Sequence, residues 1–150
     1  MRLRILERGR SERGSTAVEF ALVAVMFIIM LVSIVEIARM MLVFTSVANA
    51  AKVGARYAIT HGADRTGTGA SGPSGPGSTT QVQTVVQNFA KTGLLTKGNL
   101  TILVTYPNGN NKAGSPVRVT VTYPYDALIP YFTTLFSRTI ASTSEGVITF

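Results

Sequence analysis

The chain has 150 residues and a formal net charge of +7, so it has room for one ordinary domain at most. It contains no cysteine and a single histidine, His61, which excludes disulfides, thiolate chemistry and a multi-histidine metal centre. Nucleic acid is not the expected partner of this basic balance. Arg2, Arg4, Arg8, Arg10 and Arg13 crowd into the first thirteen positions, and no basic cluster interleaved with aromatic residues follows them.

Those arginines lie directly before an apolar run. From Phe20 to Val35 sixteen residues pass without a charge, and Ser33 alone is polar. At 1.5 Å per residue the run spans about 24 Å, and Ala17, Val18 and Ile37 extend it toward the roughly 30 Å of a hydrocarbon core. A buried core helix does not fit, because the rest of so short a chain cannot surround a segment that is apolar on every side. A cleaved signal peptide does not fit either, since the run continues into EIARMMLVF with no small-residue cleavage site at its exit. The lipid bilayer is therefore the expected surroundings. The arginines before the run keep the amino terminus in the cytoplasm and put everything after about residue 38 outside.

In RGSTAVEFALV, residues 13–23, Glu19 stands four residues after Ser15 at the start of this run. An acidic side chain at mid-bilayer costs roughly 2.5 to 3.5 kcal/mol, and less near the interface. Its place in a first helical turn offsets part of that through the helix dipole, and a nearby cation would offset more. RG followed by STAVEF resembles the processing site of type IV prepilins, in which a membrane aspartyl peptidase cuts after a glycine and the fifth residue of the product is glutamate. That resemblance implies a cut between Gly14 and Ser15. It would remove a leader whose charge is carried by Arg8, Arg10 and Arg13 among others, and create an ammonium at Ser15 for Glu19 to meet in its own or a neighbouring subunit. Without processing, Glu19 would simply mark the interface and snorkel.

Residues 13–58 are similar to the TadE-like family of pilin-like proteins from tight-adherence, or Flp-type, pilus systems. The opening AVEFALV and the later NAAKVGARYA, Asn49 to Ala58, carry the match. The resemblance implies a minor pilin or pseudopilin of such a pilus in the cytoplasmic (inner) membrane. Its partners would be the prepilin peptidase, other pilin or pseudopilin subunits and the inner-membrane assembly platform. Two alternatives remain: a pseudopilin of a type II-like secretion system, and an unprocessed single-pass protein whose outer domain binds a partner. No catalysis, metal or cofactor is expected of the chain itself, and Gly14, Ser15 and Glu19 are processing and assembly residues.

The helix is expected to continue past the membrane. Ile37, Met41, Phe44, Ala48, Ala51, Ala55 and Ala58 recur at steps of four and three, with Arg39, Ser46, Asn49, Lys52 and Arg56 on the other side. No proline lies between residues 1 and 72, and Glu36 stands where many type IV pilins carry one, so an unkinked helix from about Thr16 to about Thr60 is predicted. Residues 44–59 are expected to dock on the head.

Residues 61–80, rich in Gly, Ser, Thr and Pro, have the composition of a flexible connector. His61 and Asp64 do not make a catalytic or metal site without a second histidine, and no lysine with a Ser/Thr partner follows to make a phosphate loop. Thr79 or Thr80 caps a short helix over 81–92 with Val82, Val85, Val86 and Phe89 on one face and Gly93 at its end. Alternation then predicts a strand with Leu100, Ile102, Val104 and Tyr106 on one face. A second carries Val117, Val119, Val121 and Tyr123, and the polar NGNNKAGS joins the two as an antiparallel hairpin. RTIASTSEGVITF closes the sheet. Between them, in the aromatic segment Tyr123 to Phe136, Tyr125, Tyr131, Phe132 and Phe136 either cap the sheet's open edge or form a contact patch. The fold class is α+β, organised as a leader (1–14), a transmembrane and stem helix (15–60), a linker (61–80) and an extracytoplasmic head (81–150).

Overall fold

One uninterrupted helix, α1, runs over Gly9–Thr60 in the computed structural model, which describes residues 9–92, 95, 99–127 and 138–149. It starts seven residues before Thr16, because nothing in SERGS stops a helix and no proline intervenes. A 3-10 turn (Gly69–Ser71), a second helix α2 (Thr80–Thr92) and strands β1 (Thr101–Thr105), β2 (Pro116–Tyr125) and β3 (Arg138–Val147) follow. The α+β class is as the sequence predicts. The chain divides into two compact units, Met1–Ala38 and Arg39–Phe150.

In the first unit no side chain from Gly14 to Val35 is buried. Phe20 is 75 % exposed, and Met26 64 %. A helix apolar on every side and covered by nothing of its own belongs in lipid or against other apolar helices, and α1 is long and apolar enough to cross a membrane. The lone polar residue of the run is satisfied locally: Ser33 Oγ donates to Ile29 O at 2.8 Å, so no hydroxyl is left unmade in an apolar surrounding. Glu36, near the other end, is buried.

In the second unit the sheet is antiparallel in the order β1-β2-β3. Val104 faces Val119 across the first ladder, and Tyr123 faces Ile140 across the second. The tight turn after β1 rests on Gly109, whose φ of +66° suits a residue without Cβ and whose N–H donates to Tyr106 O at 2.9 Å. Val117, Val119 and Val121, on one side of β2, are fully buried, while Arg118 is exposed opposite them and pairs with Glu145 at 2.5 Å. Leu100, Ile102, Val104 and Tyr106 pack toward the same core, as alternation predicts.

The helix face that covers this core differs from the expected stripe. Val43, Val47, Ala50, Ala51, Ala55 and Ala58 are buried, whereas Ile37, Met41 and Phe44 are about half exposed and Ala48 is only partly buried. Residues 43 to 48 offer apolar side chains on two faces, and periodicity alone does not choose between them. Gly54 lies where α1, α2 and β2 converge, and a Cβ there would meet Val86 Cγ2 at 2.5 Å and Val119 Cγ1 at 3.0 Å. A layer that close leaves no room for a side chain at position 54. On α2 the buried residues are Val82, Val86 and Ala90, while Val85 is only partly covered. Gly93 lies outside the described residues.

Residues 61–80 are held in place rather than left as a flexible connector. Ser74 is fully buried: its N–H donates to His61 O at 2.7 Å, and its Oγ donates to the same oxygen at 3.1 Å. Asn111 Nδ2 donates to Ser74 O at 2.9 Å, Ala63 N–H to Asn111 O at 2.8 Å and Tyr106 Oη to Ser74 Oγ at 3.2 Å. The loop is thereby tied to the β1–β2 turn. Burial raises the Tyr106 pKa above the ordinary 10.0, with the Ser74 contact pulling the other way. A phenol whose folded pKa is raised contributes stability that is full below pH 10 and is lost as pH rises through the folded value. Tyr106→Phe is therefore expected to cost about 1 kcal/mol at neutral pH and to flatten the alkaline fall in stability. Urea unfolding of the detergent-solubilised chain, at neutral pH and above pH 10, reads both. Parallel falls in parent and variant would refute the assignment.

Candidate processing and assembly site

Gly14, Ser15 and Glu19 all lie within α1, and all three are exposed. An added Cβ at Gly14 would meet nothing within 4 Å, so no packing inside the chain requires a glycine there. A glycine there instead makes the helix easier to open locally, since Gly costs about 1 kcal/mol against Ala in a helix interior. At 100° per residue, Ser15 and Glu19 lie about 40° apart around the axis and about 6 Å along it. Glu19 could thus reach a charge at the Ser15 nitrogen or a cation on a neighbouring helix. Among the described residues Glu19 has no ion-pair partner of its own. Arg10 and Arg13 fall within α1; Arg8 lies outside the described residues.

The helix then leads into a head in which the remaining candidates have structural roles. The His61 ring stacks on Tyr57 at 3.8 Å between centroids, and its Nδ1 lies 2.8 Å from Tyr57 O, so it closes the end of α1. Tyr57 Oη donates to Ala70 O at 2.6 Å, and burial raises its pKa, with Arg65 pulling it down. Asp64 is exposed. Among the described residues no three His, Cys, Asp or Glu side chains gather as a metal site. Tyr125 is buried, which fits capping of the sheet, while Tyr131, Phe132 and Phe136 lie outside the described residues.

Sequence reasoning missed two constellations. One is the Ser74, Asn111 and Tyr106 network, which had no signal in a segment that composition marks only as loop. The other is Arg39: its Nη1 donates to Asp126 O at 3.2 Å and its guanidinium sits 5.2 Å from the Tyr125 ring centroid. An arginine just past an apolar run, with a PYD tripeptide downstream, is a weak signal that only the fold joins.

Residues 14–56 match the family model for TadE-like protein. The matched stretch opens on Gly14 and ends within α1, so it characterises the stem and says nothing of the sheet. No curated protein and no solved structure matches the chain.

Proposed function

We propose that this chain, TadE-like over residues 14–56, is a minor pilin or pseudopilin of a tight-adherence pilus apparatus. It is made with its first fourteen residues in the cytoplasm, cut after Gly14 by a prepilin peptidase, and held by residues 15–38 in the inner membrane with its head outside. The observation that carries the reading is the joint position of Gly14, Ser15 and Glu19 at the head of an apolar helix that the protein does not cover. Cutting there removes five arginines and two glutamates and leaves an end apolar enough to pass from lipid into a bundle of stems. Other pilin subunits and the assembly platform are the partners, and the chain itself catalyses nothing.

Cleavage must open the helix, since a peptidase grips its substrate extended and the Gly14–Ser15 bond lies inside α1. Gly14→Ala therefore acts twice. It adds a methyl beside the scissile bond, and it stabilises the uncut helix by about 1 kcal/mol, which alone lowers the opened fraction about fivefold. Slowing of fivefold or more is expected. The mass of the membrane-purified chain, taken with and without the host's prepilin peptidase, tests the reading: processing gives a first residue of Ser15. A mature chain still beginning at Met1 while the peptidase is active would favour the unprocessed anchored protein instead.

A further inference from the structure

A cavity of about 520 Å³ opens on the head, lined by Arg39, Leu42, Val43, Tyr123, Tyr125 and Asp126 among others. Small-molecule pockets begin at about 300 Å³, so it has room for a polar ligand and its water. Among the described residues that line it, the charged ones are Arg39 and Asp126. A smaller cavity shares Pro124, Tyr125 and Asp126 and adds Arg138 and Thr139, so the exposed Asp126 lines both, with Arg39 in one and Arg138 in the other. Arg39 is positioned by its bond to Asp126 O and by the face of Tyr125, a ring 1 % exposed and thus a fixed platform. Arg39 also has a special place in the sequence. It follows Glu19 by about twenty residues, the number a helix needs to cross a hydrocarbon core of about 30 Å. Tyrosine is a residue that membrane interfaces select, and an arginine just past a span can reach the headgroup level.

We propose that this cavity seats a zwitterionic phospholipid headgroup of the outer leaflet, its phosphate on Arg39 and its primary ammonium on Asp126. The arginine supplies the phosphate contact. The carboxylate supplies the selectivity: it rewards a headgroup that carries an ammonium and repels one that carries only the phosphate charge. The Tyr123 side chain, half buried beside it, gives the wall an amphipathic edge. Seated in this way, the first turn of the head is fixed against the membrane surface by a contact that lipid, rather than another protein, provides. The inference rests on residues 15–38 crossing the bilayer, and is independent of the cut after Gly14 and of any role in a pilus.

The test is native mass spectrometry of the full chain in detergent, offered phosphatidylethanolamine and phosphatidylglycerol in equal amounts. The parent is expected to retain the ethanolamine lipid about two- to fivefold better, the range that a partly exposed ion pair supports. Asp126→Asn should bring that ratio close to one, and Arg39→Gln should lower retention of both lipids. Equal retention by the parent, a preference for phosphatidylglycerol, or an ethanolamine preference that survives Asp126→Asn would overturn the proposal. Alkaline carbonate extraction of membranes carrying the same variants reports the crossing separately. A chain that is extracted removes the premise and the headgroup seat together, whereas a retained chain that does not discriminate between the lipids removes the seat alone.

Discussion

Gly54→Leu is expected to destabilise the head by about 3 kcal/mol or more. The position has no spare volume. An added Cβ would stand 2.5 Å from Val86 Cγ2 and 3.0 Å from Val119 Cγ1, and both valines are fully buried, so neither can swing into solvent. Overpacking by a few methylenes costs about 1 to 3 kcal/mol where the neighbours can adjust, and here three elements would have to separate at once. Gly54→Ala is the sharper experiment, because two terms of known sign oppose each other. Alanine gains about 1 kcal/mol in helix propensity and loses a similar or larger amount to the Val86 contact. Val86→Ala alone should cost about 2 kcal/mol, as buried truncations do, but it also makes room for the new methyl. The pair should therefore be less damaging than the sum of its parts by more than about 0.5 kcal/mol. The chain has five tyrosines and no tryptophan, so urea unfolding followed by tyrosine fluorescence reads the cycle. Strict additivity would show that α1 and α2 do not meet at Gly54.

The strands were legible because Val117, Val119 and Val121 alternate with Arg118, Thr120 and Thr122, and a period of two leaves only one choice of buried face. β3 was legible more faintly: Ser142 and Ser144 occupy the positions that face Val121 and Val119, so its inner face lacks the apolar signal. The buried face of α1 was not legible where Phe44 and Ala48 compete with Val43 and Val47, since hydrophobicity ranks phenylalanine first and helical periodicity fits either face. Composition marks residues 61–80 as a flexible connector and could not foresee their order, which comes from Asn111 and Tyr106, more than thirty residues away from Ser74. Long-range hydrogen bonds leave no period. The candidate site was legible for the opposite reason. Gly14, Ser15 and Glu19 stand within little more than one helical turn, where spacing along the chain is spacing in space, and the structure adds that they are exposed and that the helix begins before them.

Glu19→Ala is expected to leave cleavage after Gly14 largely intact while lowering incorporation into pili by roughly tenfold or more, the scale of a charge pair formed in a poorly hydrated interface. Under the proposed processing the chain passes through two states. Before the cut there is no ammonium at Ser15, and Glu19 needs only the helix dipole and a place near the interface to be tolerated. After the cut the stem must enter a bundle of apolar helices, where a lone carboxylate costs several kcal/mol unless it meets a cation. A new amino terminus on an adjoining stem is such a cation, and it is available only at one axial offset, so the pair also fixes register. Glu19→Gln keeps the size and hydrogen bonding and removes the charge, and should fail almost as badly as alanine. Glu19→Asp keeps the charge on a shorter arm and should recover part of the yield. A double variant, Gly14→Ala with Glu19→Ala, should assemble worse than either single variant, because one substitution slows the cut and the other removes the carboxylate that the new terminus would meet. Quantifying mature subunit in sheared pili against the membrane pool checks each case, and equal yields from Glu19→Ala and the parent would refute the pairing while leaving processing untouched.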